Sequence, residues 1–599
     1  MARTDDLRRY AELSEWIREL SMPSLEGITN AEEYFERIRA NYERMRDLNR
    51  TSSAILEEQV LPLLPEEEGT LVRPLTEAEA KELFAFCGIL SDPVNLESVD
   101  DVLRYKIVRL LLADAEAKND TAAVIRALDI LIECCYFLMT SAAGLWPESE
   151  KVEEYRKIGL DASMRLRAYL DKEAFAALPD TECKEIVLVN ARYISALYEC
   201  VHAPWTEEEN REHLEQLKEA LRLSEDAFYI EQASKFDWKR HRYRSLQGIA
   251  SLAEYHNEAG FTEEQLKEIN GYTRQLLALW KEDKVLYGAL SAPEVLYLPM
   301  YRNAYLAGEM PLAEYRASLL SIIEGADEED FSHDGNMMIV FAQTEYLLTL
   351  DKEHLTEEEK KRIRGFFDRL VHYVSRMPKL GSLTFLVGFL TRSIDALAAC
   401  GEGVDYAHLA ARLLAAVNPP TWCHSLTVAE LAECITGHLY DREPSLFRDT
   451  PGYPDKAAVT EFLRQAALVH DTGKIFIAEF ITNYAREYFP DEQAWLELFP
   501  RVGARILERF PDTRPYAEIV RHHLDENWDK DIATQILSYA DRMGWTARDT
   551  TDTGRAMIPF IDALCREKDI EEELNRIVTE GRIKNMAAVY TLLTQEAET

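Results

Sequence analysis

Positive charge, extended structure and long apolar runs are all in short supply in this chain. Lys and Arg number 68 against 107 Asp and Glu, a formal net charge of −39. A surface this acidic repels a phosphate backbone, which argues against a duplex nucleic-acid binder while leaving room for a small anion in a locally positive, metal-containing pocket. No stretch approaches the roughly 18 consecutive apolar residues of a membrane-spanning helix. The opening Met1-Ala-Arg-Thr-Asp-Asp leads into a charged amphipathic helix rather than an apolar signal core. The nine cysteines are odd in number, form no C-x-x-C pair and sit mostly in apolar helical patterns, the usage of reduced, buried thiols in a cytoplasmic protein. Strand signals are nearly absent: runs such as Glu185-Ile-Val-Leu-Val and Met337-Met-Ile-Val-Phe continue into helical periodicity.

What is present is helix after helix, an all-α chain. At 599 residues it is too long for one core. Capping boxes, with Thr three residues ahead of Glu or Gln, recur at Thr29/Glu32, Thr76/Glu79, Thr206/Glu209, Thr262/Gln265 and Thr356/Glu359. A glycine stop at Gly260 followed by a cap at Thr262 predicts a tight helical hairpin. Serial hairpins without a fixed period suggest an irregular α-solenoid, similar to tetratricopeptide (TPR) arrays in style rather than motif. The composition break at Ala399-Cys-Gly-Glu-Gly-Val404 marks the main boundary, with a helical sensory or interaction region over 1–400 and a second domain over 406–599. Weaker breaks lie at Trp146-Pro147 and Ala203-Pro204-Trp205. Tyr193, Tyr198, Tyr243 and Tyr255 are read as packing residues, the other reading being a concave face that binds a ligand or a protein partner.

The last third carries the chemistry. In the helix after Asn418-Pro419-Pro420-Thr421, His424 shares a stripe with Val428, Leu431 and Ile435. The series 462/466/470 and 463/467/471 lead apolar residues into His470 and Asp471, and Asp541 lies one turn beyond Leu537. Histidine and aspartate carried into a hydrophobic interior must be neutralised, and a divalent metal does so readily. The dipeptide recurs at His333-Asp334 without metal-type neighbours and reads there as a solvated helix start.

These residues resemble the HD superfamily of metal-dependent phosphohydrolases, and within it the HD-GYP branch. Asn418-Pro-Pro-Thr-Trp-Cys-His424-Ser-Leu-Thr-Val-Ala429 is similar to D-P-Y-T-x-G-H-S-x-R-V-A, and Arg464-Gln-Ala-Ala-Leu-Val-His470-Asp-Thr-Gly-Lys474-Ile475 to L-R-x-A-A-L-L-H-D-I-G-K-I. Arg501 to Leu507, His522-His523 and Ile536 to Asp541 resemble later segments, in order. The resemblance implies an HD-type helical bundle in which His424, His470, Asp471 and Asp541 surround one ion of the iron or manganese type. Asp471 would bridge to a second ion held by His522 and His523. It also implies a phosphodiesterase acting on a small-molecule nucleotide, a cyclic dinucleotide such as cyclic di-GMP, under control of the N-terminal helices.

Three departures bear on that expectation. Phe499-Pro500 stands where the branch has a ligating His-Pro. The branch's D-G-x-G-Y-P loop is missing after His523, and Gly452-Tyr453-Pro454, which precedes the His-Asp pair, reads as a turn. The segment after Asp541 also differs. The second ion could recruit Glu497 or Asp525, or one ion could serve another nucleotide. A weakened site acting as a signalling or scaffolding module is the remaining alternative. Lys474 could offset charge on a scissile phosphate or simply reach solvent. Arg505, Arg521, Arg542 and Arg548 are candidates for phosphate or base contacts, or surface ion pairs.

Overall fold

The computed structural model describes residues 2–21, 25, 27–92, 97–98, 100–197, 206–254, 260–288, 293–325, 333–376, 381–401, 403–477, 485–525, 531–546 and 559–594. The fold is all-α, and among the described residues the extended backbone is confined to Ser91–Asp92 paired antiparallel with Glu97–Ser98. None of the described helices is long and apolar enough to cross a membrane. The described cysteines are free thiols, all but Cys434 buried.

Helix starts follow the sequence closely. Thr76, Thr206 and Thr262 each accept from the backbone three residues on while Glu79, Glu209 and Gln265 reach back. Thr356 and Glu359 make the same reciprocal pair. The first box is shifted by one residue: Asn30 is the cap, accepting from Glu33 N at 3.0 Å, while Thr29 N donates to the Glu33 carboxylate at 2.9 Å. Asn caps at least as well as Thr, so the neighbour wins. Tyr243 is buried and stacks on Tyr287 with ring centroids 4.7 Å apart. Tyr198, Tyr255 and the 203–205 break lie outside the described residues, as does the Tyr193 side chain.

From Asp101–Lys118 to His333–Leu348, helices close in sequence pack against one another in chain order. The break near residue 400 is a real interruption, with one helix ending at Ala398 and the next starting at Tyr406, and Gly401 and Gly403 at φ of 70° and 101°. It does not divide the interior. One apolar cluster runs from Tyr34 and Leu128 through Phe389 to Leu414, Phe476, Val502 and Val589. Gly144 touches the second half so closely that a Cβ there would lie 2.3 Å from the Phe476 carbonyl oxygen. Residues 485–492 reach into the N-terminal half, where Arg486 binds Asp100 at 2.8 Å and Glu492 at 2.7 Å, and Tyr10 donates to Asp100 at 2.7 Å. All four side chains are almost fully buried. Removing one partner from such a network leaves a buried charge uncompensated, at a cost of about 3–5 kcal/mol.

Candidate metal centre

The helix Pro419–Arg442 starts where Asn418 accepts from Thr421 N at 3.1 Å, with prolines at its first two positions, where a missing N–H costs nothing. It buries His424 with Val428, Leu431 and Ile435. A second helix, Lys456–Val469, packs against it and stops at His470, after which Thr472–Ile477 winds into a 3₁₀ turn. The tight passage depends on Gly473, whose Cβ would lie 1.9 Å from the Phe499 carbonyl oxygen. The chain thus delivers His470 and Asp471 at a helix C-terminus, an electrostatically negative end that favours a cation.

Asp541, from the helix Ile532–Thr546, completes the centre. Its Oδ1 lies 2.8 Å from His424 Nε2 and 3.3 Å from His470 Nε2, which is 3.4 Å from Asp471 Oδ1. His470 and Asp471 are fully buried, and among the described residues neither His470 Nε2 nor Asp471 Oδ1 has a hydrogen-bond partner. Two unmet polar atoms at one buried point are costly unless something occupies it. His470 Nδ1 lies 2.6 Å from the Ala467 carbonyl, to which it donates, so Nε2 is the nitrogen that would face a metal. Ligand atoms about 2.0–2.2 Å from a shared ion stand roughly 3 Å apart, as these do. The donor set therefore fits a divalent metal.

Charge in the cluster tells the same story. Burial works against an imidazolium at His470, yet Asp471 and Asp541 outweigh it and raise its pKa; at His424 burial wins and the pKa falls. Asp541 is held well below the usual carboxylate range, its burial overcome by His424 and His470, and Asp471 is lowered by His470 and Lys474 against its own burial. Asp471 and Asp541 together favour positive charge at His470, the kind of charge a bound cation would supply. Lys474 Nζ sits 2.8 Å from Asp471 Oδ2 and 4.5 Å above the Phe499 ring.

The adjacent histidines diverge. His523 is fully buried, its Nδ1 bonded to the Val520 carbonyl at 2.7 Å and its Nε2 4.0 Å from Asp541 Oδ2; burial pushes its pKa down to about 4. His522 stands beside Glu518 at 3.4 Å and Asp525 at 3.7 Å. Consecutive residues on a helix face about 100° apart, so only one of the pair turns toward the centre. The Phe499 ring packs 5.9 Å from that of His523, and Glu497 is exposed. The second-ion set is thus spread out, with His523 near the cluster and His522 among surface carboxylates.

Residues 421–545 match the HD domain family model. The chain contains an HD-superfamily domain, a kind that binds divalent metals, and the match covers under half of its length. No curated protein matches the chain.

A cavity of about 580 Å³ opens on His424, within the range of small-molecule sites. One wall comes from far away in sequence: Arg39, Tyr42 and Arg46 form an i, i+3, i+7 stripe on the helix Ala31–Gln59. The lining also includes Val578 and Met586 of the helix Lys568–Thr594, whose Asn585 donates to Thr427 at 3.0 Å. Nothing in the sequence pointed to these three N-terminal residues, because their stripe reads as an ordinary amphipathic surface. Gly544 also lines the cavity and abuts the His424 ring, which explains one departure after Asp541: a side chain there would strike the histidine. Arg505 is tied to Glu148 at 3.1 Å and the Trp146 carbonyl at 2.9 Å, joining the two halves. Arg521 pairs with Glu508. Arg542 is half-buried one residue beyond Asp541, and Arg548 lies outside the described residues.

Proposed function

We propose that this chain is a metal-dependent phosphohydrolase whose ion is held by His424, His470, Asp471 and Asp541. The observation that carries the proposal is the buried convergence of these groups around the unmet His470 Nε2 and Asp471 Oδ1. The bound ion would act as a Lewis acid toward phosphate and activate water. Asp471 serves as ligand and is oriented through Oδ2 by Lys474. Lys474 also supplies positive charge for the phosphoryl oxygens as they gain electron density. Arg46 on the cavity wall would attract the anion, while Arg39 on the same wall is paired with Glu36 at 2.6 Å and lies 3.8 Å from Glu43; Tyr42 and Phe35 add aromatic lining for a flat ring.

The substrate class is a small nucleotide in the cytoplasm. The finer assignment, a cyclic dinucleotide such as cyclic di-GMP opened to the linear form, rests on the HD-GYP-like segments around His424 and His470. We read the N-terminal helices, packed in chain order, as an irregular TPR-like array whose partner or signal biases access to the site. A second reading, hydrolysis of a nucleoside phosphate with one ion, is favoured by Phe499 and by the placement of His522 beside Glu518 and Asp525.

The test is metal analysis of anaerobically purified protein with a hydrolysis panel of cyclic dinucleotides and nucleoside phosphates. Cyclic-dinucleotide turnover with two ions per chain supports the finer assignment, and nucleoside phosphate turnover with one supports the second reading. Asp471→Ala is expected to abolish turnover in either case. No metal, no turnover and a stable protein partner would replace both with a scaffolding role.

A further inference from the structure

The His424 helix carries a second set of donor atoms near its other end. Cys434 and His438 are four residues apart and so share a face, distinct from the stripe that buries His424 and Ile435. Glu573, from the helix Lys568–Thr594, meets them there: His438 Nε2 is 3.1 Å from Glu573 Oε2, and the sulfur, ring nitrogen and carboxylate oxygen all lie within 4.8 Å of one another. The His438 and Glu573 side chains are 37% and 41% exposed, so an ion can enter and a water can fill a fourth position. Cys434 is the one described cysteine that is not buried.

A thiolate, an imidazole and a carboxylate at one point make the mixed soft and hard donor set of a zinc-type ion rather than of calcium or magnesium, which take oxygen ligands. We propose that Cys434, His438 and Glu573 form a metal site of this type, separate from the His470 centre, that fastens the C-terminal helix to the His424 helix. Binding would release the thiol proton and form the metal–sulfur bond without any change in oxidation state. The fastened helix also contributes Val578 and Met586 to the cavity beside His424, so occupancy would fix that wall in place.

Cobalt(II) titration of the full-length protein tests the site, because the His470 centre contains no sulfur ligand and a thiolate-to-cobalt absorption band reports the Cys434 site alone. The band is expected in wild type, absent in Cys434→Ser and retained in Cys423→Ser, which removes the thiol beside His424. It is also expected in Asp541→Ala, provided that variant folds; the wild-type and cysteine variants decide the matter without it. Zinc should in parallel protect Cys434 from alkylation, mapped by mass spectrometry. No thiolate band in wild type, a band that survives Cys434→Ser, or unprotected alkylation would each overturn the proposal.

Discussion

Gly544→Ala tests the metal centre without replacing a proposed ligand. The new Cβ would lie 2.8 Å from His424 Cε1, 2.9 Å from Nδ1 and 3.1 Å from Val428 Cγ2. Relaxing to ordinary carbon contact near ~3.5 Å moves the ring or the Ile532–Thr546 helix by roughly 0.7 Å. Either movement strains the 2.8 Å contact between His424 and Asp541. Overpacking costs about 1–3 kcal/mol, while alanine in place of glycine within a helix returns about 1 kcal/mol, so global stability should fall by no more than about 2 kcal/mol. Metal affinity should fall roughly 10–100-fold, as it does when the support of a ligand is disturbed. Metal titration alongside urea unfolding separates the two effects. Gly365→Ala, where a Cβ meets nothing within 4 Å, is the control and should change neither affinity nor turnover. Wild-type metal affinity in Gly544→Ala would refute the placement of His424 in the centre.

Three further outcomes are expected. Phe499→His puts an imidazole beside His523 and should raise occupancy of a second ion; unchanged metal content would remove the alignment of that position with the family's histidine. Arg46→Ala should raise KM for a phosphate-bearing substrate several-fold with metal content unchanged, and an unaltered KM would take the N-terminal helix out of the binding pocket. Burial pushes His213 down to about 3 and His241 down to about 4, from 6.5. Both stay neutral in the native state where the unfolded chain takes up protons, so stability is lost as pH falls below 6.5 toward those values. At pH 5.5 each should cost about 1.3 kcal/mol relative to pH 7.5. Urea unfolding at the two pH values checks this, and His213→Asn should flatten the dependence.

The candidate ligands were legible because each lies at one end of an apolar stripe of helical period. Leu463 and Ala467 lead to Asp471 and Leu537 to Asp541, and the side chains of all four candidates are buried. The histidine pair was not, since His522 and His523 differ only by a rotation along the helix that composition does not encode. The wall bearing Arg39 and Arg46 was invisible for another reason: it meets His424 through contacts hundreds of residues apart, and its residues look like any solvated face. The glycine break near 400 was readable as a helix stop. The continuous interior beneath it was not, because a loop on the surface says nothing about what packs under it.

That continuity bears on how the molecule can be cut. A fragment starting at residue 406 would strip Phe476 and Val502 of their neighbours and leave Arg486 without Asp100, so it should aggregate or melt early rather than survive as an independent domain. Truncations meant to isolate the chemistry would then report lost folding instead of lost regulation, and point substitutions in the intact chain are the sounder tool.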